Sequence, residues 1–301
     1  MTTAENYSFT PEQLSVAFAE ISTTLFAGIS ADTTPKLLIT AGVQSSGKTW
    51  LLEKTLLPSG KYDNYVRLYL PAFRQKHPQY QEMLKHGTQH AYEQTEKFIY
   101  DIAAKIFEKA FTHKYNIIME CAFDSISFAT LPAVAVNAGY QLEVHIVACN
   151  QPFALISCFK RAFNSLEKQE LERFVQPSTL KSSLATAHAM VFAMEAAAKQ
   201  ADGSQILLYE RGMGALKDRA LRAHSIYHKD ERGVLTVTSP GQLYSHARYE
   251  RISSNSLNRA GRHELIKECH LMLQQANQYA GQIPDYVYGA LYSRIFKYVQ
   301  R

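Results

Sequence analysis

The sequence predicts an α/β fold in which helices cover both faces of a parallel β-sheet and a helical extension follows at the C-terminus. Short apolar runs, typical of buried strands, alternate with longer segments of helical periodicity. Strands that alternate with helices are joined by right-handed crossovers, which gives a parallel sheet. A glycine-rich loop, residues 42–49, also separates the first predicted strand from the helix after it. Together these observations indicate an open sheet with a ligand site at its carboxyl edge.

Five apolar runs predict strands, at residues 36–41, 65–70, 116–119, 141–148 and 205–209. The first helix is predicted to begin after Thr10, with Pro11 in its first turn. Further helices are predicted at residues 50–57, 79–112, 152–164, 178–199, 263–280 and 284–300. Residues 213–255 are polar and weakly periodic. We therefore expect one domain over residues 1–212, with a mainly helical extension over residues 213–301 packed on it.

The composition is that of a folded protein rather than a disordered chain. Of 301 residues, 46% are hydrophobic and 20% are charged. The net charge of +5 suits an anionic ligand, but the lack of a Lys/Arg block argues against a nucleic-acid partner. No apolar run approaches the ~20 residues that span a bilayer, and the N-terminus does not resemble a signal peptide. The four cysteines lack metal-site spacing and are expected to be buried thiols. We expect a cytoplasmic protein without a membrane partner.

Residues 42–49 match the phosphate-binding pattern G-x-x-x-x-G-K-T, with a predicted strand before it and a predicted helix after it. Backbone N–H groups of such a loop converge on phosphates, its lysine neutralises the β- and γ-phosphates, and its threonine hydroxyl binds Mg²⁺. The flanking elements favour this interpretation over a chance Gly/Ser turn. The loop thus predicts ATP and Mg²⁺ as cofactors, with Thr49 as the metal ligand. The residues expected to contact the nucleotide are Gly42, Gln44, Ser45, Ser46, Gly47, Lys48 and Thr49.

The loop alone leaves the phosphate acceptor open, because GTPases, ATPases and small-molecule kinases share it. The chain has no N-K-x-D guanine reader, which argues against a GTPase. It also has no apolar strand that ends in Asp-Glu, which argues against a motor-type ATPase. A kinase of a small substrate remains.

Three segments share their order and spacing, over residues 9–210, with one known family. They are Phe9-Thr10-Pro11-Glu12-Gln13, Phe73-Arg74-Gln75-Lys76-His77-Pro78 and Tyr115-Asn116-Ile117-Ile118-Met119-Glu120. On these segments the chain resembles the zeta-toxin family of P-loop kinases, the toxin halves of toxin–antitoxin pairs. The second segment matches the family signature F-[RK]-x-x-H-P, and we expect its histidine to cap the turn into the next helix.

The resemblance implies ATP-dependent phosphorylation of a hydroxyl on a nucleotide sugar such as UDP-N-acetylglucosamine, and an antitoxin protein as partner. By position, Lys48 and Thr49 would hold ATP and Mg²⁺, and Glu120 would contact the sugar. Arg161 and Arg173 match the two lid arginines of the family, which stabilise charge on the transferring phosphoryl group.

The acceptor side departs from the family pattern. Where the family has its general base, an aspartate, this chain has Pro71, which cannot accept a proton. After Glu120 the family shows a substrate-holding arginine, and here that place is taken by Asp124. The loop has Ser45 where the family often has glycine. Asp124 is therefore the leading candidate for a replacement base, with helix or loop N-capping as its alternative role; Glu120 is the other candidate base.

Two alternatives to a zeta-toxin-like kinase stay open. Pro71 favours a pseudokinase, a nucleotide-dependent module that binds a partner protein. A polynucleotide kinase has a related fold, but it needs a basic channel that the mild charge does not indicate.

Overall fold

The structure of the protein is a computed structural model that describes residues 7–123, 126–168, 174–212, 219–254 and 257–300. These residues form two compact units. The first contains the described residues up to Lys36 together with Tyr62–Met119, and the second contains Leu37–Lys61 and the described residues from Glu120 onward.

Seven strands form a mostly parallel mixed sheet. They are β1 (Lys36–Ala41), β2 (Tyr65–Leu68), β3 (Asn116–Cys121), β4 (Gln141–Cys149), β5 (Gln205–Arg211), β6 (Arg219–Lys229) and β7 (Leu235–Thr238). Their order is β2-β3-β1-β4-β5-β6-β7. The pairs β2–β3 and β4–β5 are parallel, whereas β5–β6 and β6–β7 are antiparallel. The predicted α/β fold is confirmed, and all five predicted strands are present.

Three of the predicted strands, β1, β3 and β4, are buried along nearly their whole length, whereas β2 and β5 also contain partly exposed residues. In β1 every residue after Lys36 is buried, and in β4 every residue after Gln141 is buried. Strands covered on both faces carry continuous apolar runs, which is why their sequences stand out.

β6 and β7 lie in the part of the chain expected to be mainly helical, and these two strands were not predicted from the sequence. Only Ala223, Ser225 and Tyr227 of β6 are buried, and all four residues of β7 are exposed. β6 and β7 lie at the edge of the sheet, and the covered face of β6 carries small and polar residues. The sequence therefore lacks the alternation of apolar and polar residues that predicts a strand. The domain boundary at residue 212 stays a prediction.

Twelve α-helices lie within the described residues. They are α1 (Pro11–Leu25), α2 (Lys48–Leu51), α3 (Leu70–Arg74), α4 (Tyr80–Lys85), α5 (Thr88–Gln94), α6 (Glu96–His113), α7 (Leu131–Asn137), α8 (Gln151–Glu167), α9 (Pro177–Ala198), α10 (His246–Ser254), α11 (Arg259–Gln278) and α12 (Asp285–Val299). None of them combines the length and apolar composition needed to cross a bilayer. All four cysteines are buried thiols, as expected.

Local chemistry explains where the helices begin and break. Thr10 caps α1 as predicted: its hydroxyl accepts from the Gln13 N–H at 3.2 Å, and the Gln13 side chain accepts from the Thr10 N–H at 2.9 Å. The helical zone expected over residues 79–112 contains three helices, α4, α5 and α6. Gly87, with φ of 100°, ends the first of them because a left-handed residue cannot continue a helix.

The arginine of the F-R-x-x-H-P segment packs against helices of the first unit. The Arg74 side chain is buried, and its NH1 group donates to the Tyr92 carbonyl at 2.7 Å and to the Thr95 hydroxyl at 2.6 Å. Its guanidinium also lies 3.8 Å from the centre of the Tyr92 ring. These contacts tie α3 to the junction between α5 and α6, so this arginine acts in packing.

His77 caps the turn before α4, as predicted, because its Nδ1 accepts from the Gln79 N–H at 3.1 Å. Its ring is 3% exposed and contacts the rings of Phe98 and Phe9, with centroids 5.0 and 5.7 Å away. Burial lowers the pKa of His77 below its usual value, because the apolar surroundings disfavour the charged imidazolium.

Acid should therefore destabilise the fold through His77. The unfolded chain binds a proton more readily there, so the free energy of unfolding should fall as pH drops below about 6.5, the ordinary histidine value. Urea unfolding at pH 7 and pH 5 measures this loss. The variant His77→Asn keeps an acceptor for the turn and should show a smaller difference between the two pH values. An equal difference in both proteins would exclude His77 as its source.

Candidate active site

The phosphate loop connects the buried end of β1 to α2. The Gly42 N–H donates to the Cys121 carbonyl at the end of β3, at 3.0 Å. A Cβ added at Gly42 would meet Ser46 Oγ and would lie 2.7 Å from the Val147 carbonyl oxygen of β4. The start of the loop therefore fits against neighbouring backbone so closely that it requires glycine.

Alanine at position 42 should disturb the loop. Its methyl group would force backbone apart, at a cost of about 1–3 kcal/mol typical of overpacking, and should weaken ATP binding as well. Gly241→Ala is the matched control, because a Cβ there meets nothing within 4 Å. Urea unfolding and nucleotide titration of both variants test this, and equal behaviour of the two would contradict the close fit.

Two left-handed residues shape the loop, Ser45 with φ of 59° and Gly47 with φ of 98°. Such residues turn successive N–H groups toward one side, which makes an anion-binding concavity. The hydroxyls of Ser45 and Ser46 are buried without a hydrogen-bond partner among the described residues. Buried polar groups normally have partners, so these two hydroxyls fit a loop shaped around a polyanion.

Two residues predicted separately, one for the metal and one for the substrate, are in contact. The Thr49 hydroxyl, in the first turn of α2, donates to Oε2 of Glu120 at 2.6 Å. Adjacent oxygens around an octahedral Mg²⁺ are about 2.9 Å apart, given metal–oxygen bonds of ~2.0–2.1 Å. The pair therefore fits neighbouring positions around that ion. Lys48 directly precedes Thr49 as the first residue of α2, and it is buried.

Two arginines that were not predicted from the sequence donate hydrogen bonds to backbone carbonyls of the phosphate loop. Arg211, buried at the end of β5, donates through NH1 to the Ser45 carbonyl and through NH2 to the Ser157 hydroxyl at 2.8 Å. Arg219, at the start of β6, donates to the Gly47 carbonyl at 3.3 Å. The antiparallel register places the two arginines opposite each other.

The two arginines also give the loop a positive environment. Burial lowers the pKa of Arg211 and of Arg219, which reflects the cost of placing cations away from water. Within the described part of the chain, Arg211 forms no ion pair with an acidic side chain, and its Nε has no partner. The Arg219 guanidinium lies 4.2 Å from the centre of the Trp50 ring, directly after the loop. An anion bound by the loop would offset these charges.

α8 passes beside the loop. Its Ser157 accepts from Arg211, and Sγ of its Cys158 lies 3.7 Å from the Gln44 carbonyl oxygen. Arg161 is one helical turn beyond Ser157, on the same side of the helix, and its side chain is exposed. This position suits a lid arginine. Asp124 and Arg173 lie outside the described residues, so their predicted roles stay predictions.

Pro71 lies in the first turn of α3. This is a common place for proline, because its missing N–H would have no partner there. At the position where the family has its general base, this chain thus has a proline that suits the start of a helix.

Comparison with known families gives an unambiguous assignment. The zeta-toxin family model matches residues 22–231, more than two thirds of the chain. The chain belongs to the zeta-toxin family. The match confirms the resemblance found in the sequence and places this chain among P-loop kinases. A comparison with curated proteins gave no match.

Solved structures share the zeta-toxin fold of this chain. One comes from the PezAT chromosomal toxin–antitoxin system of Streptococcus pneumoniae, with a TM-score of 0.64 and 15% identity over 91% of this chain and 98% of that one. The native AvrRxo1-ORF1:ORF2 complex gives a TM-score of 0.56 and 12% identity, covering 97% of this chain and 91% of the other. The same complex with ATP gives 0.54 and 12%, covering 94% and 86%.

Proposed function

We propose that this zeta-toxin family member transfers the γ-phosphoryl group of ATP to a hydroxyl of a nucleotide sugar, such as UDP-N-acetylglucosamine, or of a related nucleotide-like molecule. One observation carries the proposal: Thr49, at the end of the phosphate loop, contacts Glu120, so that the residues expected to bind ATP and its metal ion lie together. The structure of AvrRxo1-ORF1:ORF2 with ATP adds a precedent for the nucleotide in this fold.

The donor side needs residues that position phosphates and neutralise their charge. The loop amides and the unpartnered hydroxyls of Ser45 and Ser46 would bind phosphate oxygens. Lys48 would hold the β- and γ-phosphates, and Arg161 would approach the transferring group from α8. Positioning and charge neutralisation supply most of the catalysis, because phosphoryl transfer passes through a loose transition state.

Glu120 would serve the metal as well as the acceptor. Its Oε2 accepts from Thr49, and its Oε1 forms no hydrogen bond with any described residue. The first oxygen would share Mg²⁺ with the threonine hydroxyl, directly or through water. The second would then be available to the acceptor hydroxyl. When bound, the metal neutralises charge on the phosphates and orients them.

The proton of the acceptor needs a new destination, because Pro71 replaces the usual aspartate. We propose that Asp124 or Glu120 accepts it as the hydroxyl oxygen bonds to phosphorus and ADP leaves. Loss of a general base typically slows a reaction by about 10²–10⁴-fold. An intact donor site would therefore support a slow kinase even with a poor base.

Pro71 also favours a second candidate function, a pseudokinase that binds ATP without turnover and presents a surface to another protein. The fold relatives come from a toxin–antitoxin system and from a two-component complex. In either case we propose an antitoxin-like protein as partner.

A single assay separates the two functions. Purified protein is incubated with ATP, Mg²⁺ and a panel of UDP-sugars, other nucleotides and dinucleotides, and products are analysed by mass spectrometry. We expect one acceptor to gain the mass of a single phosphate. Tight ATP binding with no product on any acceptor would support the pseudokinase. Absence of ATP binding would contradict both proposals.

A further inference from the structure

A second group of ligand-type side chains, not assigned any role above, lies between α9 and α10. One ligand atom from each of His188, His246 and Glu250 lies within 4.8 Å of the others. His246 and Glu250 are four residues apart on α10 and therefore share a face of that helix. His188 comes from α9, and both helices pack against β4 in the second unit.

The two distances from the Glu250 carboxylate to the histidines are close to those between ligand atoms of a bound metal ion. Oε1 of Glu250 lies 3.2 Å from Nδ1 of His188 and 3.7 Å from Nδ1 of His246. In a tetrahedral zinc site with bonds of about 2.0–2.2 Å, ligand atoms are about 3.3 Å apart. The carboxylate thus lies within about 0.4 Å of the ligand spacing to each histidine nitrogen.

The hydrogen bonding of His188 leaves a ligand position available. Its Nδ1, the nitrogen nearest the Glu250 carboxylate, is buried and has no hydrogen-bond partner among the residues that the structure describes. The 3.2 Å contact of His188 with Glu250 thus lacks the angle of a hydrogen bond. Buried ring nitrogens rarely stay unsatisfied, and a metal ion is a natural partner for a neutral imidazole.

Aromatic rings hold the two imidazoles in place. The Tyr249 ring is buried, with its centroid 5.9 Å from that of His188 and 6.3 Å from that of His246. The Phe192 ring lies 6.4 Å from His246. Packing on a buried ring limits the rotation of each imidazole on one side, which lowers the entropic cost of binding an ion.

We propose that His188, His246 and Glu250 form a binding site for a divalent transition-metal ion, with Zn²⁺ as its natural occupant. Two imidazoles and one carboxylate are a donor set that zinc accepts, and three protein ligands leave a fourth position for water. The ion would cross-link α9 to α10, which are separated along the chain by three strands. Its donor set differs from that of the Mg²⁺ proposed for the phosphate loop, which has only oxygen ligands.

Zinc titration of the full chain tests this site. The protein is prepared without a histidine tag, stripped with a chelator and titrated with ZnCl₂ by calorimetry. We expect one ion per chain, with affinity falling about tenfold or more in His188→Ala and in His246→Ala. Glu250→Gln, which keeps size and exposure, should also weaken binding. The control His263→Ala/His270→Ala removes two exposed histidines elsewhere in the second unit and should bind zinc like the parent.

Two further readouts separate a built site from loose surface binding. Zinc should raise the melting temperature of the parent and of the control, and should not do so in His246→Ala. Co²⁺ bound in place of zinc should show the intense visible absorption of four-coordinate cobalt in the parent and in the control, and should not show it in His246→Ala. Unchanged zinc affinity in both His246→Ala and Glu250→Gln would overturn the proposal, as would absence of zinc binding by the parent.

Discussion

Replacing Lys48 with methionine should reduce phosphoryl transfer by about 10²–10³-fold, the loss typical when one preorganised charge on the transition state is removed. Lys48 follows Gly47 at the start of α2, where the loop amides converge, and its side chain is buried. Methionine retains most of the apolar stem and removes only the ammonium group. Folding should therefore survive while charge neutralisation is lost. Initial rates on the acceptor found in the panel give the result.

The matched control for this variant is Lys54→Met. Lys54 lies in the turn of π-helix that follows α2 and is exposed. It carries the same charge within the same local segment but should leave the rate unchanged. If both variants retained the parent rate, Lys48 would not contact the transferring phosphate. If the parent were inactive, loss of ATP binding in Lys48→Met alone would still locate the nucleotide on the loop.

The donor half of the site could be predicted from sequence because each part of it is local. β1, the loop and α2 follow one another along the chain, and β1 is buried on both faces, so its apolar run is continuous. The place of Glu120 at a strand end could be predicted in the same way. Its contact with Thr49 could not, because it joins residues 71 positions apart and depends on the order of strands in the sheet.

The arginines behind the loop show why the rest was missed. Arg211 and Ser45 are in contact although they are 166 residues apart in the sequence. Arg211 donates to the backbone carbonyl of Ser45, an oxygen that any residue at that position would provide. No pattern in the sequence indicates such a pairing. One signal was available: Arg211 ends a buried strand at the carboxyl edge, the same argument that selected Glu120. Arg219 had no such signal, because it begins a strand with little apolar alternation.

Replacing Arg211 with leucine should destabilise the fold and weaken ATP binding together. The change leaves the Ser45 carbonyl and the Ser157 hydroxyl without their charged donor. Hydrogen bonds to charged groups contribute about 1.5–3 kcal/mol each. Because leucine also removes the cost of burying a cation, the net fall in the free energy of unfolding should be smaller than the sum of two bonds, about 2–4 kcal/mol. The loop should lose its preorganised shape, and ATP affinity should drop by about tenfold or more, since ordering it on binding then opposes association. Urea unfolding and nucleotide titration measure the two effects.

Two further variants distinguish shape from charge. Arg222→Leu removes an exposed arginine that pairs with Glu210 at 2.6 Å, and exposed pairs contribute only about 0–1 kcal/mol, so both measurements should stay near the parent values. Arg211→Lys keeps the positive charge but cannot donate in two fixed directions as a guanidinium does. If shape dominates, the lysine variant should bind ATP nearly as weakly as the leucine variant. Parent-like affinity in Arg211→Lys would mean that Arg211 acts through its charge, and parent-like affinity in Arg211→Leu would mean that the loop keeps its shape without it.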